Sequence, residues 1–171
     1  WIEYFDFERD YDSLKESLKL DEYLTNAINF GHGLRILNQD PLEMIISFII
    51  SSNNRIPMIK RAINNISEKF GEKIEYNGKN YYLFPSLEKL SKISISEFRE
   101  CSTGFRDKYL FNTINMINEN NNIEYIINLS DNECHKELQK FSGIGSKVSD
   151  CIMLFSMKKY SAFPVDVWVK R

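Results

Sequence analysis

Apolar residues recur at intervals of three and four over residues 11 to 29, 41 to 52, 57 to 70, 106 to 119, 131 to 141, 146 to 157 and from 165 onward. A period near 3.6 predicts amphipathic helices, so the chain reads as mainly α. Pro41 stands at a first helical position, where its missing N–H costs nothing. Ser130-x-x-Glu133 has the form of a capping box and starts the helix that follows. Shorter helices are expected near 86 to 92 and 95 to 101, and the polar run Asn118 to Asn122 reads as a loop. Two stretches depart from the helical period. Between Lys73 and Leu83, Tyr76-Asn77-Gly78-Lys79 sits among aromatic and β-branched residues, which predicts a two-stranded hairpin with a type I′ turn. Trp1 to Phe7 alternates apolar and polar residues like a strand. Residues 1–10 are therefore expected to end an upstream β domain, and 11–171 to form a helical core of one or two lobes. That core is expected to be truncated at its C-terminus, because the chain stops about one turn after Asp166.

Composition narrows the class. With 171 residues, 43% of them hydrophobic, the chain can bury a sizeable core, and no apolar run is long enough to span a membrane. The three cysteines, Cys101, Cys134 and Cys151, are far apart and odd in number, so they predict neither a disulfide framework nor a Cys-x-x-Cys metal site. A reducing compartment fits this usage. His32 and His135 are too few for a catalytic metal centre, and no cofactor or metal is expected. The formal charge of −2 is unfavourable for a nucleic-acid partner. It is unevenly spread, however: Lys140, Lys147, Lys158, Lys159, Lys170 and Arg171 crowd one end and acidic residues crowd positions 3 to 22.

The basic end carries the candidate chemistry. Ser142-Gly143-Ile144-Gly145 separates two helical segments and predicts a tight hairpin at about 131–157, with Gly143 and Gly145 allowing close backbone approach to a phosphate. The helix that follows exposes unpaired N–H groups carrying partial positive charge. Lys147 falls in the first turn of that helix, where the dipole disfavours a protonated amine. Cys151 lies one turn on, on the same face. A lysine so placed is suited to Schiff-base formation. Asp166, 19 residues after Lys147, supplies a carboxylate that could face it across the fold.

Residues 143 to 167 resemble the helix-hairpin-helix DNA glycosylases. Gly145-Ser146-Lys147-Val148-Ser149-Asp150-Cys151 with Pro164-Val165-Asp166-Val167 is similar to the 8-oxoguanine DNA glycosylase/lyase branch. Gln39-Asp40-Pro41, Ser51-Ser52-Asn53-Asn54, Phe84-Pro85-Ser86-Leu87 and Gly104-Phe105-Arg106 occur in that family's order, so the resemblance covers most of the chain. It implies the helix-hairpin-helix glycosylase fold and a bifunctional enzyme acting on damaged double-stranded DNA. It makes Lys147 the amine that attacks the sugar C1′ and Asp166 the carboxylate that stabilises charge developing there. Cys151 would border the damaged base, Asn53 fill the gap left by the flipped nucleotide, Phe105 wedge into the stack, and Arg106 hydrogen-bond the estranged partner base. It further implies a monomer, working in the cytoplasm or nucleoid of a prokaryote or in a nucleus.

Three positions depart from the family pattern. Met58 stands where an arginine five residues after the gap-filling asparagine commonly reads the opposite cytosine, so weaker preference for that base is expected. Ser142 replaces the usual hairpin proline, and Trp168 stands where relatives often carry histidine. Two other readings remain at this point. One is a glycosylase for another damaged base. The other is a non-enzymatic module that uses the hairpin only to hold phosphates.

Overall fold

A computed structural model describes residues 1–120 and 123–166. Among these, ten α-helices and one two-stranded sheet appear, so the chain is mainly helical as its periodicity predicts. It divides into two compact units, Trp1–Gln39 and Asp40–Arg171.

In the first unit, residues 2 to 8 form successive turns where alternation predicts a strand. Phe5 donates its N–H to the Trp1 carbonyl and Phe7 to that of Ile2, each at 3.0 Å. Asp6 sits in the left-handed region at φ 53°, and the alternating aromatics meet one another instead of a neighbouring strand. The rings of Trp1 and Phe5 lie 5.9 Å apart and those of Phe5 and Phe7 5.5 Å. The unit runs well past residue 10 because its far end ties back to these turns. Arg35 Nη1 donates to the Asp6 carbonyl at 2.6 Å, its guanidinium lies 4.4 Å from the Tyr11 ring centre, and the Asn38 N–H reaches the Tyr4 carbonyl at 2.9 Å. The single helix expected over 11 to 29 is two, α1 (Tyr11–Leu18) and α2 (Glu22–Phe30). Asp21 divides them: its carboxylate accepts the Leu24 N–H at 2.8 Å and starts a new helix.

The second unit is built around α3 (Pro41–Ser51), which Asp40 caps through the Glu43 N–H at 2.9 Å. Ile45, Ile46, Ile49 and Ile50 are all wholly buried. Their spacing covers more than one face, so α3 needs neighbours on several sides. It finds α4 (Ile56–Phe70), α7 (Asp107–Asn120) and α10 (Ser146–Ser156). Phe48 and Phe155 stack at 6.2 Å between α3 and α10. That contact fixes the helix carrying Lys147 against the helix that ends just before Asn53.

The predicted hairpin forms as β1 (Lys73–Tyr76) and β2 (Lys79–Tyr82), pairing Tyr76 with Lys79. Asn77 and Gly78 take φ of 50° and 69°, as a type I′ turn requires. Short helices α5 (Leu87–Leu90) and α6 (Ile95–Glu100) follow, α6 started by a Ser94–Glu97 capping box. One helix, α8 (Ile123–Asn128), follows the Asn-rich run without having been read from it. The polar run expected to be a loop from residue 118 is helical as far as Asn120, and residues 121 and 122 lie outside the described residues. So do residues 167–171, which hold Trp168, Lys170, Arg171 and most of the helix expected from 165; Val165 and Asp166 themselves are not helical. No helix among the described residues is long and apolar enough to cross a membrane.

Candidate nucleic-acid interface and reaction centre

Helix α9 (Asp131–Leu138), the turn through Gly145 and α10 form the hairpin read from the sequence. At its start Glu133 reaches back to the helix cap: the Ser130 N–H and hydroxyl both donate to Glu133 Oε2, at 3.2 and 2.5 Å. Cys134, Leu138, Phe141 and Ile144 are buried and seat the motif. From α7, Thr113 Oγ1 donates to the Ser142 carbonyl at 3.1 Å, which holds the turn without the family's proline.

The two glycines do different work. Gly143 has φ 85°, and a Cβ there would lie 3.0 Å from Tyr109 Cδ2, so the turn itself requires glycine. Gly145 has φ −98° and is the N-cap of α10, with no side chain to cap the helix and no acidic residue in the first turn. A Cβ there would meet nothing within 4 Å. The first turn of α10 therefore presents unfilled N–H donors behind open space.

Lys147 is exposed in that first turn. Cys151, one turn on, is buried, and burial pushes its thiol pKa up. Lys147 opposes that rise, while Asp150 and Asp166 add to it. Lys147 and Asp166 thus act in opposite directions on one buried thiol. Asp166 is half-buried. Among the described residues no three His, Cys, Asp or Glu side chains come together as a metal site.

The second group of expected residues lies where α3 ends. Asn53 occupies the left-handed region at φ 49°, a conformation asparagine tolerates better than most residues. Asn54 Nδ2 donates to the Ile50 carbonyl at 3.0 Å and closes the helix end. Met58, in the first turn of α4, is 41% exposed, and Phe105, in a 3₁₀ turn over Gly104–Arg106, is 58% exposed. The Phe105 ring meets Tyr109 edge-to-face at 6.1 Å, and Tyr109 in turn packs under Gly143. Positions 105, 109 and 113, one helical turn apart, thus run from the exposed aromatic to the hairpin.

Arg106, expected to donate to a partner base, turns to backbone here. It is only 6% exposed. Its Nε and Nη2 donate to the Ser52 carbonyl at 2.9 and 2.5 Å, Nη2 also to the Asn53 carbonyl at 2.8 Å, and Nη1 to the Thr103 carbonyl at 3.3 Å. In this structure four hydrogen bonds tie its guanidinium to backbone carbonyls.

Sequence reading missed three features here: this carbonyl clamp, the Tyr109–Gly143 contact, and His135. The imidazole of His135 links the two hairpin helices, with Nε2 3.3 Å from Ser146 Oγ and 3.4 Å from Asp150 Oδ1. Its signal was the pair His135 and Gln139 at i, i+4, whose side chains meet at 2.9 Å. The cations expected to crowd the motif are also fewer in effect. Lys140 pairs with Glu137 at 2.6 Å, and Lys159 turns inward to the Leu129 carbonyl at 2.6 Å.

Comparison with known proteins agrees with this geometry. Residues 1–45 match the family described as the N-terminal domain of 8-oxoguanine DNA glycosylase. The crystal structure of Clostridium acetobutylicum 8-oxoguanine glycosylase/lyase in its apo-form superposes with a TM-score of 0.97 at 60% identity, covering 99% of this chain and 60% of that one. The same enzyme in complex with double-stranded DNA containing cytosine opposite 8-oxoguanine gives 0.95 at 59% identity, covering 99% and 59%. A protein of Methanothermobacter thermautotrophicus described as a probable N-glycosylase/DNA lyase is 33% identical over 99% of this chain and 61% of its own length. The chain spans about three-fifths of the length of these relatives. Over nearly its whole length the chain is thus similar to the 8-oxoguanine glycosylase/lyase branch of the helix-hairpin-helix DNA glycosylases.

Proposed function

We propose that this chain is the reaction-bearing part of a base-excision repair enzyme that removes 8-oxoguanine from duplex DNA and then cuts the strand at the abasic site. The observation that carries the reading is the exposed Lys147 in the uncapped first turn of α10, one turn before the buried Cys151.

The glycosidic bond of a stacked base is out of reach, so the nucleotide must first leave the helix at a cost of about a few kcal/mol. Phe105 wedges into the stack and Asn53 enters the vacated space. Phosphates approach over Gly145 to the N–H groups of α10. The Lys147 Nζ lone pair then forms a bond to C1′ as the C1′–N9 bond breaks, its electrons leaving with the base, which takes up a proton. Asp166 stabilises positive charge on the sugar as that bond lengthens. The nitrogen loses a proton and the ring oxygen leaves C1′ as a hydroxyl, giving the protonated imine. Loss of a proton from C2′ and departure of the 3′ phosphate complete β-elimination, and water releases Lys147. Cys151 borders the base, and Met58 replaces a cationic reader of the opposite base. The partner is damaged double-stranded DNA, met by a monomer wherever the cell keeps its DNA.

Borohydride reduction tests this directly. Incubated with a duplex containing 8-oxoguanine, the full-length protein should form a covalent adduct that undamaged duplex does not give and that Lys147→Gln abolishes. An adduct that survives Lys147→Gln refutes the assignment of the nucleophile. Release of some other lesion in preference to 8-oxoguanine, measured on a panel of damaged duplexes, refutes the substrate.

A further inference from the structure

We propose that Arg55 and Arg61, one turn to either side of Met58, bind backbone phosphates beside the gap that Asn53 fills. The chain then grips the duplex by its backbone at the place where an arginine at position 58 would read a base. The inference rests on the excision reading above and adds to it the surface that holds the DNA.

Three observations point to these two side chains. First, the chain carries a net charge of −2, yet residues 44 to 67 contain Arg55, Lys60 and Arg61 and no aspartate or glutamate. The 3₁₀ turn over Gly104–Arg106 adjoins this segment, since Arg106 Nε donates to the Ser52 carbonyl at 2.9 Å. The acid that follows that turn, Asp107, is buried and paired with Arg99 at 2.7 Å, so it does not cancel the charge outside. Second, both arginines are exposed, and among the described residues neither side chain has a hydrogen-bond or ion-pair partner. Arg55 is the N-cap of α4, and its side chain makes no capping bond. The hairpin differs in this respect, because Lys140 pairs with Glu137 and Lys159 turns to the Leu129 carbonyl. Third, Arg55, Met58 and Arg61 recur at intervals of three, which sets them in one row along α4. Met58 in the middle is itself exposed, so the row opens to solvent. It begins two residues after Asn53, and the Asn54 side chain ties that link to the end of α3. When Asn53 enters the vacated space, the row is carried against the duplex.

The dimensions suit a phosphate backbone. Arg55 and Arg61 are six residues apart, a helical rise of about 9 Å. Phosphates of one strand follow each other at about 3.4 Å along the duplex axis. The two guanidiniums therefore meet different phosphates, each with a planar fork of donors that matches the phosphate oxygens. Such contacts position a protein and carry no sequence information. The methionine between them has no donor to offer a base edge. The row thus exchanges discrimination of the opposite base for affinity that every duplex shares.

The test measures binding of the full-length protein to a duplex with a tetrahydrofuran abasic analogue opposite cytosine or adenine. The analogue has no base to release and no C1′ hydroxyl, so no reaction intervenes. Fluorescence anisotropy at about 50 to 200 mM salt gives the slope of log affinity against log salt. Arg55→Gln and Arg61→Gln each reduce that slope by about 0.9 and weaken binding on the order of ten-fold at about 0.1 M salt. The double variant loses about twice as much slope, because the two contacts are independent. Each loss is the same within about two-fold opposite cytosine and adenine. Arg55→Lys and Arg61→Lys keep the slope, which separates loss of a charge from loss of the fold. Lys73→Gln, on the exposed β1, leaves slope and affinity as they are in the wild type. An unchanged slope in either glutamine variant shows a merely solvated helix face and overturns the inference, as does a loss confined to one opposite base. A wild-type protein that binds the analogue no better than undamaged duplex and releases no 8-oxoguanine refutes the excision reading instead, whatever the slopes of the variants.

Discussion

The glycines of the hairpin separate a requirement of the fold from a requirement of the ligand. Replacing Gly143 by alanine puts a side chain at φ 85°, which costs an L-residue about 1–2 kcal/mol. The added Cβ would also sit 3.0 to 3.2 Å from three carbons of Tyr109, closer than the roughly 3.5–4.0 Å optimum for carbon pairs. The contacts include the Tyr109 Cβ as well as its ring, so a rotamer change cannot clear them all and α7 or the turn must move. Overpacking of this kind adds about 1–2 kcal/mol. A total of about 2–4 kcal/mol lowers the thermal midpoint by roughly 5–15 °C for a chain of this size. Gly145→Ala has neither problem, with φ −98° and open space around the new Cβ. Its fold cost is about 0.5–1 kcal/mol, from the poorer N-cap. That same methyl group stands where a phosphate must approach, so affinity for undamaged duplex should fall on the order of ten-fold. Thermal unfolding by circular dichroism and anisotropy titration of a labelled duplex read the two effects separately. A Gly143→Ala protein that melts with the wild type would show that the turn relaxes freely and refute the steric argument. A Gly145→Ala protein with wild-type affinity would remove the phosphate from the start of α10.

Two other outcomes follow from the geometry. Met58→Arg should raise the cytosine-over-adenine excision ratio about 5- to 150-fold, corresponding to about 1–3 kcal/mol for a restored bidentate contact. Single-turnover rates opposite each base check this, and an unchanged ratio shows that position 58 does not face the partner strand. Acid should weaken the protein through its capping carboxylates. Glu97 is held below the usual range by the Ser94 N–H and hydroxyl, and Glu133 by the Ser130 hydroxyl and N–H. Their folded pKa values lie below the unfolded value of about 4.3. Their stabilisation is therefore complete above that pH and is lost as pH falls through the folded values. Urea midpoints measured between neutral and acid pH should decline in that window, and Glu133→Gln should flatten the decline; an equally steep slope would refute it.

Much of the architecture was legible because it is local. Core-facing isoleucines at helical spacing announce α3, and Asn77-Gly78 announces the hairpin turn. Asp21 was hidden because its apolar neighbours continue the helical period across the break, so only the cap geometry reveals two helices. The N-terminal turns were misread because aromatics that cluster with one another alternate as a strand would. Lys147 and Cys151 could be read onto one helix from their spacing, and Asp166 enters only through the family pattern. Arg106 could not be read this way. Its partners are carbonyls 53 and 54 residues earlier in the chain, and a carbonyl has no residue type. An arginine beside an exposed aromatic looks the same in sequence whether it faces a ligand or its own backbone.

The three cysteines are all free and all buried, and burial pushes each thiol upward, Cys134 to about 11. Thiolate, not thiol, is the form that peroxides and electrophiles attack. Burial disfavours that form at all three, Cys151 included, although Lys147 draws the balance there the other way. A protein whose proposed substrate is made by oxidation thus keeps the sulfur of its proposed reaction centre away from solvent. Burial works against oxidation of the thiol one turn from Lys147.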